Sequence, residues 1–290
     1  MTQPSPAHTR FAPSPTGEIH IGHAFSACFA ARAGGGQFTL RIDDIDHSRC
    51  KPAFTEQIFD DLAWLGLKWR EPVRYQSDRF DVYQEALETL INMELVYPCF
   101  LNRAEVNALL SAPQDTGTVK DSMRDAIPDD ERRRRENSGM VPAWRLHTSA
   151  ALEKVGQLSW HDVASGEDVP IDMTDFGDAV IARKDIGTSY HLSVVIDDAV
   201  DDITLVTRAE DLKASTNLHR LLQELLGLST PDYLHHRLLT DSNGRRLAKR
   251  DKSTSIATLR RDGHSADAIL RMIPKINIPQ RPFKKTKTVG

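Results

Sequence analysis

The sequence contains little cysteine and lacks any long hydrophobic run. Its three cysteines are Cys28, Cys50 and Cys99, and no Cys-x-x-Cys pair occurs, so neither a disulfide framework nor a four-cysteine zinc site fits. No apolar segment approaches the roughly 20 residues of a membrane helix, and residues 1–17 lack the apolar core of a signal peptide. These absences predict a cytoplasmic enzyme or binding protein with no membrane partner.

Charge of one sign does not dominate the composition either. The 290 residues include 37 Lys and Arg against 41 Asp and Glu, which gives a formal net charge of −4. Hydrophobic residues make up 40% and charged residues 27%, which is typical of a folded globular chain and excludes a fully disordered one. The net charge does not exclude a nucleic-acid partner, because such binding depends on local basic surface.

The N-terminal part of the chain predicts the start of a parallel α/β sheet. A strand at Arg10–Ala12 leads into a loop rich in proline, and helices then alternate with strands. The further predicted elements are a helix over 24–32, a strand over 37–43, and helices over 54–65 and 79–95.

The pattern changes after Cys99. Short helices over 103–110 and 131–137, followed by short strands between 144 and 183, predict an inserted subdomain. We interpret Arg132–Arg135 in the second helix as a solvated face, with contact to a nucleic-acid backbone as the alternative. The return to the sheet is predicted by apolar strands over 192–196 and 203–206, a helix over 212–226 and a strand over 233–239.

His20, Gly22 and His23 lie where the first strand and loop run into a helix. Two histidines three residues apart at a helix start face the same way, the helix N-terminus favours phosphate, and glycine lets a ligand approach the backbone closely. Capping or solvated histidines are an alternative of comparable weight. The preceding strand and loop favour a nucleotide site, because nucleotides bind at the carboxyl ends of parallel strands.

A second candidate is the basic segment 245–250, which contains Lys249. A lysine flanked by other cations suits the stabilisation of charge on a leaving pyrophosphate. Alone, such a segment is more often a solvated basic loop. The two motifs together, far apart in the sequence, are much more specific than either one.

Together these motifs resemble the class I aminoacyl-tRNA synthetases. Residues 20–23 spell the HIGH signature of that family, and residues 246–250 lie where its KMSKS loop lies. Four further segments resemble the glutamyl-tRNA synthetases in particular, and the resemblance covers roughly Thr9–Ile273; the segments are 10–17, 40–46, 76–79 and 206–212. The resemblance implies an α/β fold, a Rossmann-like parallel sheet of the HUP type interrupted by an inserted α+β subdomain, with a small helical region after it.

The resemblance also implies a division of the chain. The catalytic domain consists of two halves, residues 1–98 and 189–240, separated by an inserted acceptor-binding subdomain over 99–188. Residues 241–278 hold the KMSKS-like loop and a small helical region that contacts the tRNA stem. Residues 279–290 are expected to form a flexible basic tail.

The chain ends soon after the lysine segment, so we expect no helical anticodon-binding region. In this it resembles the glutamyl-queuosine tRNA(Asp) synthetases, a shorter branch of the family. That branch implies activation of L-glutamate with ATP, without tRNA, and transfer to the queuosine at the wobble position of tRNA(Asp), by a monomer. The alternative within the same chemistry is a catalytic fragment or variant of a conventional glutamyl-tRNA synthetase that charges tRNA(Glu).

Two alternatives lie outside this chemistry. One is another HxGH nucleotidyltransferase that adenylylates a cofactor precursor, but such enzymes need neither the insertion nor the glutamate-pocket segment. The other is a catalytically silent tRNA-binding protein, against which the intact His20, His23 and Lys249 argue.

The resemblance implies a glutamate pocket. Arg10 is the natural partner of a substrate carboxylate, since a guanidinium can donate two parallel hydrogen bonds to it, and Arg208 and Tyr190 rank below it. Asp43 replaces the glutamate usual in the family; it keeps the charge that binds the substrate ammonium but is one methylene shorter. The implied pocket residues are Arg10, Phe11, Ala12, Pro13, Ser14, Asp43, Tyr190 and Arg208.

The resemblance assigns ATP to His20, Gly22, His23 and Lys249. The two histidines would contact the phosphates and stabilise the transition state of adenylation, and Lys249 would neutralise the leaving pyrophosphate. Ala248 replaces the serine of the KMSKS pattern, and we expect activity to survive this change. No protein nucleophile is needed, so His20, His23 and Lys249 are the expected catalytic groups.

Metal ligands are where the sequence departs most from the family. Related enzymes often carry a Cys-x-Cys pair at the start of the insertion, whereas here only Cys99 is present and no cysteine follows it. One thiolate does not make a tetrahedral zinc site, so we expect no zinc and no protein metal site. Mg²⁺ is expected only with ATP. A Mg²⁺ site at Asp43, Asp44 and Asp46 is a less favoured alternative.

Overall fold

The computed structural model describes residues 7–111, 123, 126–174, 176–239 and 254–279 of the chain. The N-terminal half builds a three-stranded parallel sheet in the order β1-β2-β3. Residues 38–42 of the central strand are all buried, as expected for a parallel strand covered on both faces. The elements are β1 (Arg10–Phe11), α1 (Ile21–Ala33), β2 (Gln37–Ile42), α2 (Pro52–Trp64) and β3 (Lys68–Tyr75).

A short antiparallel sheet follows, in the order β4-β5-β8. In the helices around it, Arg135 donates to Glu105 (2.8 Å) and to Glu131 (2.7 Å), so part of the arginine run stabilises the contact between α4 and α5. The elements are α3 (Phe80–Asn92), β4 (Val96–Cys99), α4 (Arg103–Ser111), α5 (Asp129–Asn137), β5 (Ala143–Leu146), α6 (Thr148–Val155) and β8 (Val180–Ala182).

The third sheet has the order β7-β6-β10-β9, in which β6, β10 and β9 run parallel and β7 is an antiparallel edge. The helices α9 and α10 follow it, and α9 packs on α2. The elements are β6 (Ser159–Asp162), β7 (Glu167–Pro170), α7 (Tyr190–Val200), β9 (Leu205–Ala209), α8 (Ser215–Leu225), β10 (Asp232–His236), α9 (Ile256–Arg261) and α10 (Ala266–Met272). Two 3-10 turns lie at Gln76–Arg79 and Glu210–Leu212.

The two parallel sheets meet just before β1. The backbone N–H groups of Thr204 and Leu205 both donate to the carbonyl of His8, at 3.0 and 3.1 Å. The strands β2 and β3 therefore lie on one side of β1, and the strands of the third sheet lie on the side of β9. Ligands of open α/β sheets bind at such a switch point.

The sheets do not follow the predicted division at 98/99 and 188/189. β4 begins at Val96 and pairs with β5, while β6 and β7 lie inside the range 99–188 yet join the sheet of β9 and β10. Short strands of this kind carry no sequence signal for the sheet that they join, because register and partner are set by long-range packing.

The prediction of a strand over 192–196 is wrong, since this run belongs to α7. A short apolar run containing Val194, Val195 and Ile196 is compatible with a buried strand and with a buried helix. Ser189 decides between them, because its side chain accepts a hydrogen bond from the N–H of Leu192 (3.4 Å) and caps the helix. All residues from 192 to 198 are buried, so no polar face marks the helical period.

Candidate active site

A cavity of about 450 Å³ opens where β1, β2 and β9 end. It lies beside the junction of the two parallel sheets, which is where an α/β fold binds ligands. Its wall brings together eleven of the twelve predicted site residues: Arg10, Phe11, Ala12, Pro13, Ser14, His20, Gly22, His23, Asp43, Tyr190 and Arg208. The roles of these residues stay predictions.

The twelfth predicted site residue, Lys249, lies outside the described residues. The described residues that flank its segment are at the cavity. Leu238 and Leu239 line the cavity, and Ser255 forms a β-bridge with His20.

The two histidines of the HxGH motif cap α1. His20 Nδ1 accepts from the N–H of Gly22 (3.0 Å), and His23 Nδ1 accepts from the N–H of His20 (3.2 Å). A Cβ at Gly22 would lie 2.8 Å from His20 Cε1, so a larger residue would displace that ring. The two histidines therefore both cap the helix and line the cavity, so the capping interpretation does not exclude a nucleotide site.

On one wall of the cavity, each buried arginine forms an ion pair with a carboxylate. Arg10 donates from Nε to both oxygens of Asp198 (3.1 and 3.2 Å), and Arg41 donates from Nη1 to the same group (2.7 Å). Burial raises the pKa of Asp198, but Arg10 and Arg41 outweigh it and hold the pKa below its usual value. Arg41 Nε also donates to Asp43 (2.7 Å). We call Arg10, Arg41, Asp43 and Asp198 the carboxylate wall.

Asp43 is the member of the carboxylate wall that both lines the cavity and is acidic. Burial raises its pKa to about 6, against the lowering effect of Arg41. At neutral pH the carboxylate is therefore ionised, and it is within one pH unit or so of taking up a proton.

Arg208 also lines the cavity, and no carboxylate pairs with it among the described residues. Its guanidinium donates to three neutral acceptors: Thr216 Oγ1 (2.7 Å), His219 Nδ1 (3.0 Å) and His235 Nε2 (3.4 Å). Its central carbon also lies 5.4 Å from the centroid of the Tyr233 ring. Among the described residues, no acidic side chain lies within ion-pair distance of Arg208. We call Arg208, which lines the cavity, and the residues that hold it from behind, Thr216, His219 and His235, the histidine wall.

The histidines near Arg208 are neutral at physiological pH. Burial, followed by the charge of Arg208, lowers the pKa of His191 to about 4 and that of His235 to about 3. The same causes lower the pKa of His219 well below its usual value. The histidine wall therefore carries one uncompensated positive charge, whereas the two cations and two carboxylates of the other wall cancel.

Six residues of this site were missed in the sequence: Arg41, Asp197, Asp198, Thr216, His219 and His235. Asp197 lies behind the carboxylate wall, where it accepts from Gln76 (2.9 Å), Arg79 (2.8 Å) and Tyr83 (2.8 Å). The signal that could have found two of them is the pair Asp197–Asp198 inside an apolar run, since buried acids need cationic partners. No local pattern distinguishes His219 from a surface histidine.

A second cavity of about 280 Å³ adjoins the first. The two share Ser14, Asp43 and Tyr190, and the second also includes Asp46, Arg183 and His191. Asp46 is ionised, because hydrogen bonds from Ser48 and Arg49 lower its pKa to about 2.

Within the described ranges, no group of three or more His, Cys, Asp or Glu side chains is arranged to hold a metal ion. Cys99 packs in an apolar cluster with Tyr97 and Leu101. The absence of zinc remains a prediction, which metal analysis of the purified protein can test. In the same described part of the chain, no helix is both long and apolar enough to cross a bilayer.

Comparison with known proteins identifies the family. The model of the class I tRNA synthetase catalytic domain, E and Q type, matches residues 6–285. A glutamyl-Q tRNA(Asp) synthetase from Rhodobacter capsulatus is 43% identical over 285 residues, which cover 91% of this chain and 99% of that protein. A glutamate–tRNA ligase from Thermosynechococcus vestitus is 39% identical over 271 residues, 90% of this chain and 55% of that protein.

Solved structures agree with the sequence comparisons. The crystal structure of a glutamate tRNA ligase from Elizabethkingia meningosepticum in complex with its amino acid has a TM-score of 0.72 and 25% identity, covering 92% of this chain and 60% of that one. The chain thus spans little more than half the length of the glutamate–tRNA ligases that it matches. By the match over residues 6–285, the chain belongs to the class I tRNA synthetases of the glutamate and glutamine type, a family of ligases, through their catalytic domain.

Proposed function

We propose that the protein activates L-glutamate with ATP to glutamyl-adenylate, without tRNA, and transfers the glutamyl group to queuosine at the wobble position of tRNA(Asp). The site supports the first half of this reaction, and the relatives support the second half.

The observation that carries the proposal is the charge pattern of the cavity. Glutamate differs from a neutral amino acid by one carboxylate, and the cavity offers one buried guanidinium, Arg208, with no carboxylate partner among the described residues. Each terminal nitrogen of Arg208 carries two N–H groups and uses one, so a carboxylate can accept two parallel hydrogen bonds. Asp43 accepts from Arg41 through Oδ1 and lines the cavity, where its carboxylate can also accept from the ammonium group. Arg10, which the sequence favoured, is already neutralised by Asp198.

The helix N-terminus in the cavity wall supports binding of ATP. His20 and His23 lie at the N-terminus of α1, and the helix dipole there favours the triphosphate. The α-carboxylate of glutamate attacks the α-phosphate, and pyrophosphate leaves with Mg²⁺ and with charge stabilisation from Lys249. The flanks of the Lys249 segment at the cavity support this role. A hydroxyl of the acceptor then attacks the adenylate and releases AMP.

The queuosine acceptor rests on the relative whose name states it. The glutamyl-Q tRNA(Asp) synthetase of Rhodobacter capsulatus is matched over 99% of its length. The second candidate is charging of tRNA(Glu), favoured by the matches to glutamate–tRNA ligases at 37–39% identity. Both share the activation step and differ only in the acceptor.

The activation step is tested by exchange of pyrophosphate into ATP. We expect exchange that depends on glutamate and proceeds without tRNA, with glutamine and aspartate as matched controls that support much less. Absence of glutamate-dependent exchange would contradict the proposal.

The acceptor is tested by charging with labelled glutamate. We expect labelling of tRNA(Asp) that bears queuosine and none of the same tRNA that bears guanosine at that position. Labelling of tRNA(Glu) alone would replace the proposed acceptor by the second candidate and leave the activation step in place.

A further inference from the structure

His219 lies behind the cavity wall and contacts two residues that line it. It is 2% exposed, and its Nδ1 lies 3.0 Å from Arg208 Nη1. Its ring centroid lies 5.6 Å from that of Tyr190. On its other side, His219 Nε2 lies 3.1 Å from Nδ1 of His191, which lines the second cavity.

Arg208, His219 and His191 form a hydrogen-bonded series, and Arg208 determines the tautomers of the two histidines. A guanidinium only donates hydrogen bonds, so His219 Nδ1 must accept. A neutral His219 then carries its proton on Nε2 and donates it to His191 Nδ1 (3.1 Å). Burial and Arg208 lower the pKa of both imidazoles, which keeps both neutral. In both hydrogen bonds of this series, the donor is therefore the group nearer to Arg208.

The neutrality of this acceptor matters for the charge of the cavity. On the carboxylate wall, the guanidinium of Arg10 is held by Asp198 and its charge is cancelled. A carboxylate at position 219 would fix Arg208 equally well but would cancel its charge too. A neutral imidazole fixes the geometry and leaves the charge for a ligand.

We propose that His219 is a positioning residue that sets the preference for a substrate carboxylate over a carboxamide, by orienting Arg208 without neutralising it. This inference rests on the proposed glutamate activation. It assigns to His219 no contact with the substrate.

The test compares two isosteric variants, His219→Gln and His219→Glu, in glutamate-dependent pyrophosphate exchange. The glutamine side chain can accept from Arg208 and donate to His191, as the neutral imidazole does, and we expect nearly wild-type KM and kcat. The glutamate side chain adds a carboxylate, and we expect KM for glutamate to rise about tenfold to a hundredfold with a small change in kcat. The preference for glutamate over glutamine should fall by a similar factor. His264→Glu, at an exposed histidine, controls for added charge.

Equal KM values for the Gln and Glu variants, both folded, would overturn the role of His219 while leaving the proposed function intact. Wild-type protein without glutamate-dependent exchange would instead remove the proposed function, and this inference with it.

A spectroscopic test on the wild-type protein does not depend on the folding of a buried variant. In ¹⁵N correlation spectra of the histidine rings at pH 7, with His219 assigned through the Gln variant, we expect a neutral ring protonated on Nε2. A ring protonated on Nδ1, or on both nitrogens, would overturn the inference.

Discussion

The two walls of the cavity each bury an arginine that faces the ligand space, but they treat its charge differently. On the carboxylate wall, Arg10 shares Asp198 with the fully buried Arg41, and the charges cancel. On the histidine wall, Arg208 is held by a hydroxyl and two neutral imidazoles, and its charge remains. Both arginines are about equally buried, at 6% and 5% exposure, so burial alone does not distinguish their roles.

We interpret Arg10 as a structural cation and propose Arg208 as the cation that binds the ligand. An unpaired buried charge is unfavourable for the free protein, and it is retained where a ligand supplies the missing partner. The carboxylate wall should therefore contribute more to the stability of the fold, and the histidine wall more to ligand affinity. The following changes test that separation in order of expected effect.

The largest effect is expected for Asp198→Asn, which removes the charge shared by Arg10 and Arg41. We expect the free energy of unfolding in urea to fall by about 3–5 kcal/mol, because the buried Arg10 loses its carboxylate partner and Arg41 loses one of its partners. Asp185→Asn is the matched control, since it breaks an exposed pair with Arg183 and should change the unfolding free energy by less than about 1 kcal/mol. Similar losses for both variants would contradict the separation.

Arg208→Gln should give the opposite pattern. We expect kcat/KM for glutamate in pyrophosphate exchange to fall about a hundredfold or more, because a charge-assisted bidentate contact is lost. The unfolding free energy should stay the same or rise, since an uncompensated buried charge is removed. Arg10→Gln is the comparison variant, and it should lower stability because Asp198 loses one of its two cations. A large stability loss for Arg208→Gln would break the comparison.

The residues of the site could be found in the sequence because motifs carry them, but their partners could not. The segments around Arg10, His20 and Asp43 are local strings with fixed spacing, and the fold gathers all three at the cavity. Asp198 and His219 contact cavity residues that no shared motif links to them: Arg10, 188 residues from Asp198, and Arg208, 11 residues from His219. The relative weight of Arg10 and Arg208 depends on these partners, which the motifs do not contain.

The secondary structure shows the same contrast between elements that local sequence predicts and elements that depend on distant contacts. α1, β2 and α2 were predicted within a few residues, because their periodicity and turn residues are local. The run 192–196 in α7 predicts a strand because the helix is buried around this run and shows no exposed polar face, and the sequence of β6 does not indicate that it pairs with β10. Both errors concern tertiary packing, which overrides local preference.

Lys249→Ala tests a residue that belongs to neither wall. We expect the rate of exchange at saturating substrate to fall about tenfold to a hundredfold, because charge on the leaving pyrophosphate loses its stabilisation. KM for glutamate should change little, in contrast to Arg208→Gln. Lys252→Ala, three residues further along the chain, should have a smaller effect if position rather than total charge matters. An unchanged rate in the Lys249 variant would refute its assigned role.

The smallest effect is expected from a change of pH, which should alter the charge of the carboxylate wall but not that of the histidine wall. Asp43 has a pKa of about 6, so it becomes protonated as the pH falls below that value and loses its attraction for the substrate ammonium. His191 and His235, with pKa values of about 4 and 3, do not change charge in this range. KM for glutamate should therefore rise about fourfold between pH 7.5 and 5.5, as a single group with that pKa requires. In Asp43→Asn, KM should be high throughout and independent of pH. A pH dependence that persists unchanged in this variant would contradict the assignment of the titrating group to Asp43.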